Sequence, residues 1–290
     1  MQTVKELIEL ITLKRIDETV FEGENYQAPW GRVFGGQVLA QALHAAYQTV
    51  PEDRIAHSLH GYFILGGDLG FPIRYEVDTI RNGGSFTTRR VVAKQNGKAI
   101  FNMAASFQVE SDGVSHQFPM PNLIPPEKLT TSLEQVEEIK DLYPSAYRRL
   151  KAIQPKVFEF KPVEKFTTQL IENGSPFFNT WLRTSGKAEI TVPMQQQLLA
   201  YASDYNLLTT ATLPHREQLN KGETFYASLD HAIWFHRDFD IQNWLLYSMD
   251  SPSASNSRGF ARGSVYDRKG VLVASVAQEG LMRQSLSLEK

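Results

Sequence analysis

Apolar residues in the first segment fall at near-helical spacing: Val4, Leu7, Ile8, Ile11 and Leu13. The spacing predicts a short amphipathic helix over Thr3 to Ile16. After Gly35-Gly36 the stretch QVLAQALHAAYQTV is Ala, Leu and Val with Gln37 and Gln41 inserted. It has no broad charged face, so it predicts a helix buried nearly all round. From residue 57 to 109 the character changes to β-rich runs: HSLHGYFIL, IRYEVDTIR, SFTTRRVVAKQ and AIFNMAASFQV. Turn signals separate them, of which Asn96-Gly97 is the strongest hairpin signal.

The pattern then stops. Pro119, Pro121, Pro125 and Pro126 mark an extended linker, and TSLEQVEEIKDLYPSAYRRL reads as a surface helix interrupted by a proline. The second half repeats the first. MQQQLLAYASDYNLL is another apolar helix, and FYASLDHAIWFH, WLLYSMDS, SRGFARGSVYD and VLVASVAQEGLMR are four more β runs. Ser85 and Arg90 precede Ser257 and Arg262 by the same 172 positions, while Gln37 precedes Gln197 by 160. The second copy therefore has a longer loop, TTATLPHREQLNKGE, between helix and first strand. The expected layout is a first unit at 1–110, a linker with a surface helix at 111–163, and a second unit at 164–290. An internal duplication of a helix-plus-antiparallel-sheet unit follows. An apolar helix must be covered and an antiparallel sheet has one apolar face, so the sheet is expected to wrap the helix. Pairing the two units edge to edge would remove an exposed strand edge.

Composition narrows the function classes. The 290 residues contain 30 basic and 32 acidic side chains and no cysteine. Disulfides, thiolate metal sites and a cysteine nucleophile are excluded, and the lack of cysteine agrees with a reducing compartment. A net charge of −2 gives no electrostatic case for nucleic acid. No apolar run reaches the ~18 residues of a membrane span, and the first residues lack a secretory signal's apolar region. The tail SLSLEK matches no targeting address. The expectation is a cytoplasmic protein.

Familiar catalytic motifs are missing from the sequence: no G-x-S-x-G elbow, no P-loop and no Rossmann glycines after a strand. His57/His60 and His231/His236 are three and five apart, which on regular strands points each pair to opposite faces and makes poor metal sites. Asp204 sits in QLLAYASDYNLL. Either the helix ends there and leaves it partly exposed, or a carboxylate is held in apolar surroundings, where its pKa would rise toward that of a useful base. Gln278 shares a strand face with Leu272, Ala274, Val276, Gly280 and Met282, an inward apolar face on which an amide must be paired. It is either a satisfied core glutamine or a group that orients a water or a carbonyl. Ser228 opens SLDHAIWFH; it is either a strand-start hydroxyl or, with a bulge at Asp230, a side chain flipped to the inner face. The three fall on the second copy's helix, first strand and last strand, which become neighbours if the sheet wraps the helix.

With VFGGQVLAQAL, HSLHGYF, NGGSFTTRRV and AASFQ in the first half, and LLAYASDYNLL, LDHAIWFHRDF and WLLYSMDSPSASNSRGFARGSVYDRKGVLVASVAQEGLMR in the second, the chain resembles the bacterial-type acyl-CoA thioesterase II family almost throughout. The resemblance implies an α+β double-hotdog fold: two copies of a long helix wrapped by a curved antiparallel sheet, the sheets joined edge to edge. It implies hydrolysis of fatty acyl-CoA to free fatty acid and CoA, without cofactor or metal. The family's catalytic Asp and Gln fall on Asp204 and Gln278, and its hydroxyl, usually Thr, falls on Ser228. Serine keeps the donor and acceptor but loses the methyl that fixes the rotamer. His44 and Ala105 stand at the first copy's equivalents of Asp204 and Gln278, which implies one site per chain. In the implied mechanism Asp204, Ser228 and Gln278 position and deprotonate a water, and a backbone amide near Gly35-Gly36 or its second-copy equivalent stabilises the oxyanion.

Phe63, Phe101, Phe107, Trp234 and Phe235 are candidates for an acyl channel, and Arg89, Arg90, Arg258 and Arg262 for the CoA phosphates. The expected partners are acyl-CoA, water and further copies of the chain in a homo-oligomer, with no nucleic acid and no membrane span. Two alternatives stand beside the hydrolase. One is a hotdog enoyl-CoA hydratase or dehydratase, although Thr209 stands where one hydratase pattern has His. The other is a non-catalytic acyl-CoA-binding protein.

Overall fold

The computed structural model describes residues 1–153, 156–164, 173–221 and 224–284. Most of the start of the second unit (165–172), the last two residues of TTATLPHREQLNKGE and the tail SLSLEK lie outside the described residues.

Helix α1 covers Val4–Ile11, with the Thr3 side chain accepting from the Glu6 amide as its N-cap. It is shorter than the apolar spacing predicts. The chain turns extended at Thr12, and Lys14–Asp17 (β1) pairs with Val20–Gly23 (β2) instead of continuing the helix. Helix α2, Gly35–Tyr47, is buried from Gly36 through Ala46, as its composition requires. Strands β3 (Ile55–Phe63), β4 (Ile73–Asn82), β5 (Phe86–Gln95) and β6 (Lys98–Gln108) follow. Asn96 and Gly97 both take positive φ, 48° and 75°, the geometry of a two-residue hairpin turn.

The predicted surface helix comes in two pieces, α3 (Ser132–Glu138), started by a Thr131/Glu134 capping box, and α4 (Pro144–Ile153). Two strands then appear that the patterning did not reveal, β7 (Phe158–Pro162) and β8 (Phe177–Thr184). Helix α5, Val192–Ser203, ends sooner than MQQQLLAYASDYNLL predicts. Asn206 adopts a left-handed φ of 66°, and a separate helix α6 restarts at Leu207–Thr212. The expected loop 209–223 is thus largely helical, with α6 followed by a 3₁₀ turn and α7 (Arg216–Leu219). Strands β9 (Thr224–Ser228), β10 (Asp230–Phe235), β11 (Leu245–Ser255), β12 (Arg258–Tyr266) and β13 (Leu272–Gln284) complete the chain.

Among the described residues all the strands join one 13-stranded sheet, in which β9 pairs with β13 off the main path. Outward from the central pair β3–β10, one side runs β6, β5, β4, β2, β1 and the other β13, β12, β11, β8, β7. The two sides have the same order, so the duplication read from the offsets extends to the edge strands. The halves meet antiparallel, Asp230 opposite Tyr62 and Trp234 opposite Ser58. This is the edge-to-edge joint the sequence predicts. The inner face wraps α2 and α5 in one apolar core that runs through both halves. Leu39, Leu43, Leu198 and Leu199 are fully buried there, each contributing about 1.5–3 kcal/mol.

The two helices lie antiparallel. His44 Nδ1 bonds Gln197 Oε1 at 3.1 Å, and the Tyr47 hydroxyl donates to Gln196 Oε1. At the other end, Gly36 touches Tyr201: a Cβ on Gly36 would stand 2.3 Å from the Tyr201 carbonyl oxygen. The N-terminus of α2 therefore meets the C-terminus of α5.

Candidate active site

That meeting point holds Asp204. It is the C-cap of α5, so its side chain leaves the helix end. Both readings of the sequence are partly realised, because the helix does end here and the carboxylate is still surrounded by protein. Asp204 Oδ2 accepts from the Gly36 amide at 2.9 Å, and Oδ1 accepts from Gln278 Nε2 at 2.8 Å. The close approach depends on Gly35 as well, since a Cβ there would lie 2.7 Å from Asp204 Oδ2. Burial drives the Asp204 pKa above its ordinary value. Donation from Gln278, Gly36 and the Ser228 hydroxyl opposes that rise without cancelling it. The residue nonetheless keeps some accessible surface.

Gln278 lies on the inward face of β13 with Ala274, Val276, Gly280 and Met282, all buried. An amide nitrogen has two hydrogens. Gln278 gives one to Asp204 and the other to Ser228 Oγ, also at 2.8 Å. It thereby fixes the spacing of carboxylate and hydroxyl. Its Oε1 is buried without a hydrogen-bond partner among the described residues.

Ser228 reaches the inner face through a bulge. Ser228 lies opposite Gly280 while Ala232 lies opposite Ala277, so one strand carries an extra residue between these pairs. Leu229 and Asp230 together face Glu279, so the bulge includes the expected Asp230: Leu229 donates its amide to the Glu279 carbonyl at 2.9 Å, and Asp230 Oδ1 accepts from the Glu279 amide at 2.6 Å.

Two further residues stand behind the site, His231, read from the sequence only as half of a poor metal pair, and Tyr247. His231 is fully buried, and its Nε2 lies 2.9 Å from Ser203 Oγ. The Ser203 hydroxyl gives its one hydrogen to the Ala200 carbonyl, so His231 Nε2–H is the donor. Burial pushes the His231 pKa down to about 3, and the ring is neutral at physiological pH. Tyr247 donates to the Ser203 carbonyl at 3.0 Å. Together they hold the residue immediately before Asp204. A histidine inside an apolar strand run was the available signal.

Other expectations are corrected. Trp234 is 36% exposed and stacks edge-on against His60 on the outer face, so it lines no channel; Phe101, Phe107 and Phe235 belong to the core, with Phe63 packed against it. Arg89 is buried and committed to Thr49 and Asn82. Arg90, Arg258 and Arg262 are paired with Asp78, Glu279 and Asp250. His57 and His60 do not point to opposite faces. A register shift between Ala56 and Ser58 puts both on the outer side, where His57 meets Ser106 and His60 meets Trp234. His231 and His236 do diverge, His236 pairing with Ser275. The Gly36 amide, a candidate oxyanion donor, is occupied by Asp204.

A sheet-wrapped helix pair with a carboxylate, an amide and a hydroxyl at the joint defines a class of protein, and comparison gives it a family. Residues 158–281 match the acyl-CoA thioesterase model and residues 26–108 the acyl-CoA thioesterase N-terminal domain model. The chain belongs to the acyl-CoA thioesterase family. It is 39% identical over 287 residues to acyl-CoA thioesterase 2 of Haemophilus influenzae, covering 96% of this chain and 97% of that one. It is also 39% identical to human acyl-coenzyme A thioesterase 8, covering 94% and 88%. The crystal structure of acyl-CoA thioesterase II TesB2 from Mycobacterium marinum superposes with a TM-score of 0.80 at 34% identity, covering 96% and 98%. A protein described as having a hot dog fold, from Alicyclobacillus acidocaldarius, shares the fold with a TM-score of 0.76 at 18% identity, covering 97% and 99%.

Proposed function

We propose that this chain hydrolyses fatty acyl-CoA thioesters to free acid and CoA, with water as the nucleophile and Asp204 as general base. The observation that carries the reading is the contact set Gly36–Asp204–Gln278–Ser228 at a partly accessible helix end. A carboxylate offers about four lone-pair positions. Three are taken by Gly36, Gln278 and Ser228, which leaves one to accept a proton from water. The raised pKa makes Asp204 a stronger base than a solvated aspartate.

In this reading the water attacks the thioester carbonyl carbon as Asp204 takes its proton. The developing oxyanion accepts from the Gly35 amide, which has no acceptor among the described residues and sits at the positive end of α2. Collapse expels the thiolate, and Asp204 returns the proton to it. Gln278 and Ser228 keep the carboxylate aimed. The neutral His231, bonded to Ser203 rather than to a carboxylate, favours hydrolysis over hydration, which would need an Asp/His or Glu/His pair.

The same reading makes the protein a cytoplasmic enzyme of lipid metabolism, supported by the lack of cysteine, with no nucleic-acid partner. It makes the protein a homo-oligomer, supported by Tyr62, Phe86 and Trp234 exposed on the outer sheet face. The test is thiol release from saturated acyl-CoAs of several lengths beside hydration of crotonyl-CoA. Thiol release alone supports the reading; hydration without thiol release overturns it.

A further inference from the structure

The substrate named above carries phosphates, and the sheet arginines Arg90, Arg258 and Arg262 are engaged with carboxylates. Arg32 differs from them. It lies three residues before Gly35, in the segment leading into α2, and its Nη2 donates to the Tyr226 carbonyl at 2.6 Å. Tyr226 is two residues before Ser228 on β9. The guanidinium also lies over the Phe225 ring, 5.3 Å from its centroid. Arg32 therefore ties the segment that leads to Gly36, the donor to Asp204, to the strand that carries Ser228.

Its charge is uncompensated. No carboxylate pairs with Arg32 among the described residues, in contrast to Arg90, Arg258 and Arg262. A carbonyl and a ring face anchor the guanidinium without neutralising it. One of its five N–H groups is used, and the planar remainder suits bidentate contact with a phosphate. Phe225 is 51% exposed, so its other face is open to a stacking base.

Resting on the thioesterase reading, we infer that Arg32, backed by Phe225, is the docking point for the nucleotide end of the CoA thioester. Arg32 takes a phosphate and Phe225 stacks on the adenine.

The experiment compares acyl-CoA with the matched acyl-pantetheine thioester, which lacks the nucleotide, in wild type and Arg32→Gln. General damage to the site lowers both rates and cancels in the ratio of the two kcat/KM values. The ratio of acyl-CoA to acyl-pantetheine is expected to fall about tenfold or more in Arg32→Gln, as for one lost charge-assisted hydrogen bond. Arg32→Lys restores part of it, and Phe225→Leu lowers it less. Calorimetry with free CoA and dephospho-CoA provides a readout independent of turnover and tells the 3′-phosphate from the diphosphate. Weaker CoA binding by Arg32→Gln supports the site even where neither thioester is hydrolysed, an outcome that sinks only the hydrolase reading. An unchanged ratio together with unchanged CoA affinity overturns the inference.

Discussion

The Gly36 amide donates to Asp204 Oδ2 at 2.9 Å across 168 positions of sequence. The contact joins the two copies: the first copy's helix N-terminus completes the electrostatic environment of the second copy's carboxylate. Gly36 has no room for a side chain, because its Cβ would stand 2.3 Å from the Tyr201 carbonyl oxygen and 2.6 Å from Phe34 Cε1. Gly36→Ala is expected to push the helices apart and cost about 1–3 kcal/mol of stability, as overpacking does. Turnover should fall more than the melting temperature accounts for; thermal melts beside kcat at a temperature where the variant stays folded check this.

Asp204 also sets a pH signature. Burial raises its pKa, so the acid limb of kcat/KM is expected above the ordinary carboxylate range. A carboxylate whose folded pKa is raised favours folding fully below its unfolded pKa and loses that contribution as pH rises through the folded value. Asp204→Asn is therefore expected to melt higher than wild type at neutral pH, with the gap closing as pH falls through the folded pKa. A variant that melts lower at neutral pH, with the difference unchanged on acidification, contradicts this balance.

Gln278 links the carboxylate to the hydroxyl, so its replacements act on both. Gln278→Ala is expected to lower kcat by about 10²-fold, within the usual range for a group that positions an acid–base catalyst. Gln278→Glu brings a second carboxylate against Asp204 and raises the pair's upper pKa. Its pH–rate profile should shift alkaline of wild type. A Glu variant with an unmoved profile removes the proposed contact from the mechanism.

Ser228 depends on the bulge, and the bulge depends on Asp230. Asp230→Ala removes the acceptor for the Glu279 amide and is expected to cost about 1 kcal/mol by leaving a part-buried donor unsatisfied. Activity should fall with it. Ser228→Thr keeps the hydroxyl and fixes its rotamer, so its turnover is expected to equal or exceed that of wild type, while Ser228→Ala falls well below both.

His231 is a positioning residue in this account, acting through Ser203 on Asp204. His231→Ala is expected to lower kcat about tenfold with KM little changed, and His231→Gln to recover part of the loss. The histidine's pKa is pushed down to about 3 by burial. Its contribution to stability is thus present above the ordinary 6.5 and lost as pH falls toward 3. Stability measured over that window should drop less steeply in His231→Gln than in wild type.

Much of this arrangement was legible in the sequence, for physical reasons. The alternation in VLVASVAQEGLM placed Gln278 inward, and a bulge at Asp230 was one of the two readings open for Ser228. The apolar composition of QVLAQALHAAYQTV gave α2, and β-rich runs between turn signals gave the meander. KRID and FEFKP were too short and too mixed in polarity to read as strands, so the outer strands of both halves went unseen. The end of α5 stayed one of two readings because DYNLL continues the helical pattern, which the left-handed Asn206 breaks. The Gly36 contact has no local signature beyond a glycine pair. The arginine expectations failed because strand exposure says nothing about which carboxylate lies across the ladder.

The most direct test is single-turnover thiol release from a long-chain acyl-CoA by wild type and Asp204→Asn, with circular dichroism to show that both are folded. The account predicts release by wild type and a rate about 10²–10⁴ lower in the variant, the range for loss of a general base. Equal rates from two folded proteins would contradict it.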